Sequence, residues 1–86
     1  MGIDVREVVA SYVLGVSGHT VHARITADIN GSDGFQWEIS HYQGGVGSGR
    51  KPVMLPVESR KQALEQIIAY AQGFDPQYSP IRNNSY

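Results

Sequence analysis

Three histidines, a glycine-rich loop followed by two cations, and a run of basic residues are the parts of this 86-residue chain that could do chemistry. His19 and His22 have ligand spacing for a helix, but on a strand residues three apart point to opposite faces. There is no cysteine and no carboxylate cluster to complete a ligand set, so no metal site is expected. His41 falls on an apolar face near a strand end, which predicts a partly buried, hydrogen-bonded ring. Ser17 and Ser48 lie in glycine-flanked turns, and no spacing links either to a histidine and an acid as a nucleophile requires. Asp28 and Glu38 share a face with Arg24, which makes them ion-pair members rather than a catalytic dyad. An enzyme is not expected, nor any cofactor.

Gly44 and Gly49 begin the spacing of a phosphate-binding loop, but Arg50 stands where the lysine belongs. Pro52 follows Lys51 where a hydroxyl would hold magnesium, so the loop reads as a connection. Four of the seven basic residues, Arg50, Lys51, Arg60 and Lys61, fall within twelve positions, against one acid, Glu58. Arg60 and Lys61 open a predicted helix, where the dipole disfavours cations by some tenths of a kcal/mol. That local conflict makes the cluster a candidate anion or nucleic-acid site.

The elements that must position these residues are written most plainly at 20–42. Val21, Ala23, Ile25, Ala27 and Ile29 alternate with Thr20, His22, Arg24, Thr26 and Asp28. After a turn stretch at 30–34, Phe35, Trp37, Ile39 and His41 alternate with Gln36, Glu38, Ser40 and Tyr42. A period of two means one packed face and one solvated face. A loop of 30–34 pairs Ile29 with Phe35, Ala27 with Trp37, Ile25 with Ile39 and Ala23 with His41, leaving Arg24 diagonal to Glu38. The valine-rich stretch 8–16 favours a strand, with Val8, Ala10, Tyr12, Leu14 and Val16 inward, and Ser17 and Gly18 turn it back into a third antiparallel partner. An Asp4-capped helix ending at Gly15 is the competing reading of that stretch.

Pro52 and Pro56 allow no more than a short edge strand at 53–57. Ser59 and Gln62 form a capping box for a helix over 60–72, with Leu64, Ile67, Ile68 and Ala71 as its apolar stripe. Gly73 is expected in the left-handed position that ends it, with Phe74 folding back. The polar residues 75–86, with two prolines, read as a flexible C-terminal tail after a single domain at 1–74.

The order of three strands, an edge and a helix, with a turn before Gly34 and Phe35 and a helix start at Ser59 and Ala63, resembles the partial double-stranded-RNA-binding fold of HicB-type antitoxins. Their Pro-Asp-Leu-Pro-Gly segment is absent after 35–42. With 4–14 helical, the order is similar instead to a double-stranded-RNA-binding domain, with Arg60 and Lys61 at its second helix start. Neither resemblance covers a specific motif, so no family is assigned.

The expected fold is therefore α+β in two layers: a three-stranded antiparallel meander (8–16, 19–29, 35–43), room for a fourth edge strand, and one helix on the inner face. A net charge of −1 supplies no field toward nucleic acid or membrane. No apolar run reaches spanning length and the start is no secretory signal, so a cytoplasmic protein is expected, of bacterial or phage origin by size alone. The expected function is non-catalytic binding of a protein partner through His22, Arg24, Glu38 and Tyr42 and the glycine-rich basic loop, with a homodimer in keeping with so small a core. The alternative is RNA or DNA binding through Arg50, Lys51, Arg60 and Lys61.

Overall fold

The computed structural model describes residues 5–29, 34–45, 52 and 55–86. Strands β1 (Arg6–Val16), β2 (His19–Asp28) and β3 (Phe35–Ile39) form one antiparallel sheet in the order β1-β2-β3. After a bend at Ser40 come β4 (His41–Tyr42), helix α1 (Arg60–Gln72) and β5 (Ile81–Arg82), and β4 and β5 make a second small sheet. The α+β class, the meander and the helix bounds agree with the expectation. The core between sheet and helix contains Val21, Ile25, Trp37, Ile39, Ala63 and Ile67, with Val16 and Phe74 closing its ends.

The first hairpin has the expected register, with Leu14 opposite Val21 and Tyr12 opposite Ala23. A two-residue turn fixes it. Ser17 at φ 50° and Gly18 at φ 81° both occupy the left-handed region, as a turn matched to the strand twist requires. The lower half of β1 departs from the expected alternation. Ala10 pairs with Ile25 and Val8 with Thr26, so Val9 is an extra residue bulged out of the ladder. Val8 is thereby turned outward, 51% exposed, while Val9 packs against the core.

The second hairpin is shifted two residues from the expected register. Ala27 faces Phe35, Ile25 faces Trp37, Arg24 faces Glu38 and Ala23 faces Ile39. An even shift keeps every side chain on its face, so the core survives the correction. The anchors are tertiary rather than in the loop. Phe35 exchanges backbone hydrogen bonds with Val57, both 2.8 Å, and Ile29 N–H donates to Val5 C=O at 3.3 Å. Ile29 therefore stays beside β1 and is 65% exposed instead of packed. Gly34 permits the Val57 crossing: its φ is +70°, and a Cβ there would sit 2.6 Å from Val57 O. Of the expected edge strand at 53–57, Val57 forms a single bridge to Phe35, and 53 and 54 lie outside the described residues.

The third strand ends at Ser40 because its side chain takes over the ladder. Ser40 N–H donates to His22 C=O at 2.7 Å, as in a regular strand. The return bond from His22 N–H goes to Ser40 Oγ at 2.8 Å. The Ser40 carbonyl is then free to swing away and accept Asn83 N–H at 2.8 Å. That break re-aims the chain into β4, where His41 and Tyr42 pair with Arg82 and Ile81. Residues 75–86 thus return to the sheet as a docked segment rather than trailing from the helix.

Helix α1 starts as expected, with Ser59 Oγ accepting Gln62 N–H at 3.1 Å and Gln62 Oε1 accepting Glu58 N–H at 2.9 Å. Its buried residues are Ala63 and Ile67, while Ile68 is 43% exposed on the rim. Gly73 is not left-handed; it has φ −86° and ψ 0°. The absent side chain makes room instead for the Gln43 side-chain amide, which a Cβ there would displace. That amide donates to Tyr70 C=O at 2.8 Å, and Gln43 N–H donates to Tyr70 Oη at 2.8 Å, tying helix to strand. Trp37 Nε1–H donates to Gln66 Oε1 at 2.9 Å, and the Tyr70 ring bridges Trp37 and Phe74.

Candidate contact surface on the sheet

The outer face of the sheet carries Arg24 at its centre. The observed register sets Arg24 directly opposite Glu38, and Glu38 Oε2 accepts from Arg24 Nε at 2.8 Å and Nη2 at 2.5 Å. Both side chains stay about one-third exposed, at 30% and 36%, so the pair contributes under about 1 kcal/mol to stability. Its value is positional. The Tyr86 ring lies over the same guanidinium, 4.2 Å from its central carbon to the ring centre. Arg24 is therefore held from the side by a carboxylate and from above by an aromatic ring. The Tyr86 phenol is raised above its ordinary value of 10.0, chiefly by burial, with Arg24 opposing and Glu38 reinforcing.

The neighbouring polar groups are equally well held. Arg6 Nε–H donates to Thr26 Oγ1 at 3.0 Å and its Nη2 to Thr26 C=O at 3.2 Å, covering Thr26 although it faces outward. Asn83 completes the tail contact, its Nδ2–H donating to Ile39 C=O at 2.9 Å. Among the described residues, no buried side-chain polar atom lacks a partner. The polar groups of this surface hold one another in place.

The three histidines gather at one end of the sheet. Ser40 Oγ, already accepting from His22 N–H, lies 2.8 Å from His41 Nδ1. Burial first, and then the charges of Arg82, His19 and His22, hold the His41 imidazole below its ordinary 6.5. In the neutral tautomer whose Nδ1 carries no proton, the ring accepts the Ser40 hydroxyl proton there. Among the described residues no group of three His, Cys, Asp or Glu side chains could hold a metal ion.

Of the residues read as a contact row, His22 is exposed and Arg24 and Glu38 share the outer face, but Tyr42 does not. It lies beyond the Ser40 break, half-buried against the core. Arg60 and Lys61 are exposed on the first turn of α1, in the helix layer behind the sheet, so they are not part of this face. Arg50 and Lys51 lie outside the described residues, as does most of the glycine-rich loop. The sequence reasoning missed Tyr86, Asn83 and Arg6. The signal of the first two was slight: two aromatic residues, Tyr78 and Tyr86, and one apolar residue, Ile81, in a polar segment. Among the described residues no helix is long and apolar enough to cross a membrane. Comparison with protein-family models, with curated proteins and with solved structures returns no match.

Proposed function

We propose that this protein is a small non-catalytic binding module for a protein partner, engaged through the outer sheet face around His22, Arg24 and Glu38. The supporting observation is the state of Arg24. Its guanidinium is oriented by Glu38 and Tyr86 before any partner arrives, yet remains about one-third exposed. A preordered arginine loses little side-chain entropy on docking, and arginine and tyrosine are the residues enriched where binding energy concentrates. Val8, turned outward by the bulge, and exposed His22 supply an apolar and a polar flank.

The test is a photo-crosslinking amino acid placed at position 22 in the protein's native cells, with the same probe at position 61 on the helix layer as comparison. A discrete protein adduct from position 22, lost with Arg24→Glu while the melting temperature moves by only a few degrees, is the expected result. Adducts confined to position 61, whether to protein or nucleic acid, would sink the reading and favour the basic helix start.

A further inference from the structure

We infer that β1 is a self-pairing edge: two copies join their sheets by antiparallel pairing of β1 with β1 about a two-fold axis at Val13. This pairing involves the strand edge and does not rest on the reading of the outer face.

The sheet treats its two edges differently. At the β3 edge, Val57 pairs with Phe35 and the Asn83 side chain occupies the Ile39 carbonyl. At the β1 edge, among the described residues, no strand is paired. Ladder parity fixes which groups are left over. Val16 and His19 flank a two-residue turn and bond to each other, so residues 16, 14, 12 and 10 point their N–H and C=O toward β2. Ser11, Val13 and Gly15 point theirs away from the sheet. Residues 8–16 hold no charge and no proline, the usual means by which an open edge is blunted. The bulge at Val9 twists only the lower part, leaving 10–16 regular.

Each side of this edge offers apolar side chains, and neither offers a charge. On the outer side Val13 is 68% exposed. On the helix side, a groove of about 430 Å³ runs between the end of β1 and the last turns of α1, where Leu14, Val16, Ala71 and Phe74 supply an apolar strip beside the polar Ser17 and Gln72, with Ile68 on the rim. A strand laid against Ser11, Val13 and Gly15 would be covered on both faces, which is how strand addition gains side-chain contact beyond its backbone bonds.

A second copy is the occupant that charge selects. An edge with no ionic group has nothing with which to recognise a charged strand, whereas it opposes no like charge to its twin. The whole chain carries only −1, so repulsion between copies is weak. With the axis at Val13, Val13 meets the twin's Val13, and Ser11 meets its Gly15, where the missing side chain leaves room. Each outward N–H finds an outward C=O. The two grooves then face each other across the axis, each offered the Ile68 of the other copy, as an isologous contact requires.

Sedimentation equilibrium over about 1–100 μM, the range in which weak dimers dissociate, should show a monomer–dimer equilibrium. Amide exchange of Ser11, Val13 and Gly15 should slow with concentration in step with it. Val13→Lys, which sets two cations against each other on the axis, should give a folded monomer by circular dichroism, Val13→Ile should keep the dimer, and Arg24→Glu should leave it intact. A wild-type monomer throughout, with those three amides exchanging freely, overturns the proposal. So does a dimer in which they stay unprotected, or their protection only after a different protein is added. Should Val13→Lys fail to fold, the exchange data on the wild type decide alone.

Discussion

Replacing Ser40 by alanine tests how the sheet ends and how the tail is held. The hydroxyl accepts His22 N–H at 2.8 Å, sits 2.8 Å from His41 Nδ1, and belongs to a residue only 8% exposed. Removing it leaves the His22 amide without its ladder partner, a loss of about 1–3 kcal/mol for a buried donor. Water can reach part of the gap because the His22 side chain is exposed, which sets the expectation at the lower end, about 1–2 kcal/mol. For a domain of this size each kcal/mol moves the melting point by about 4–8 °C, so a fall of about 5–15 °C is expected by thermal unfolding followed with circular dichroism. Amide exchange supplies the specific signature: His22 N–H should lose protection while Arg24 N–H, deeper in the ladder, keeps it. Asn83→Ala, which removes one side-chain bond to Ile39 C=O and keeps its backbone bond to Ser40, should cost less. A Ser40→Ala protein melting within about 1 °C of the parent, with His22 N–H still protected, would refute this account of the strand break.

Gly34→Ala should destabilise by about 2 kcal/mol or more, since it combines a φ of +70° with a Cβ 2.6 Å from Val57 O, and denaturant unfolding would show it as a lower midpoint. Ser17→Asn, in the turn where Ser17 holds φ 50°, should stabilise by some tenths of a kcal/mol, because asparagine tolerates that region better. Because the fold holds His41 below 6.5, the unfolded chain binds its proton more readily. Its contribution is therefore complete above pH 6.5 and is lost as pH falls through the lower folded value. Melting temperatures measured from pH 7.5 down to about 4.5 should fall less steeply in His41→Gln than in the parent.

What was legible in the sequence was what local rules specify. The two-residue turn at Ser17 and Gly18 leaves one register for the first hairpin, and Ser59 with Gln62 fixes where α1 begins. The second hairpin has a longer loop, whose length does not choose among even shifts, and the choice falls to Ser40 at the end of β3 and to Val57, far away in sequence. The bulge was hidden because Val8 and Val9 are chemically alike, so alternation reads equally well in either phase. Gly73 looked like a left-handed helix stop, yet what lies against it is the side chain of Gln43, thirty residues upstream. For the contact face, alternation placed Arg24 with Glu38 but could not see that Ser40 breaks the strand and lays Tyr42 half-buried against the core. Tyr86 acts through its ring and Asn83 through two hydrogen bonds, contacts with no period, and periodicity is the only signal a polar tail could have given.

The blocked β3 edge sets the valence of the molecule. With Val57 on Phe35 and Asn83 on Ile39, sheet growth from that side is terminated, and β1 is the one long edge left open among the described residues. A unit with two open edges can propagate into a fibre, whereas a unit with one can only be capped. The segment at 81–86 thus acts as a chain terminator in the polymer sense: any association through β1 closes at two copies.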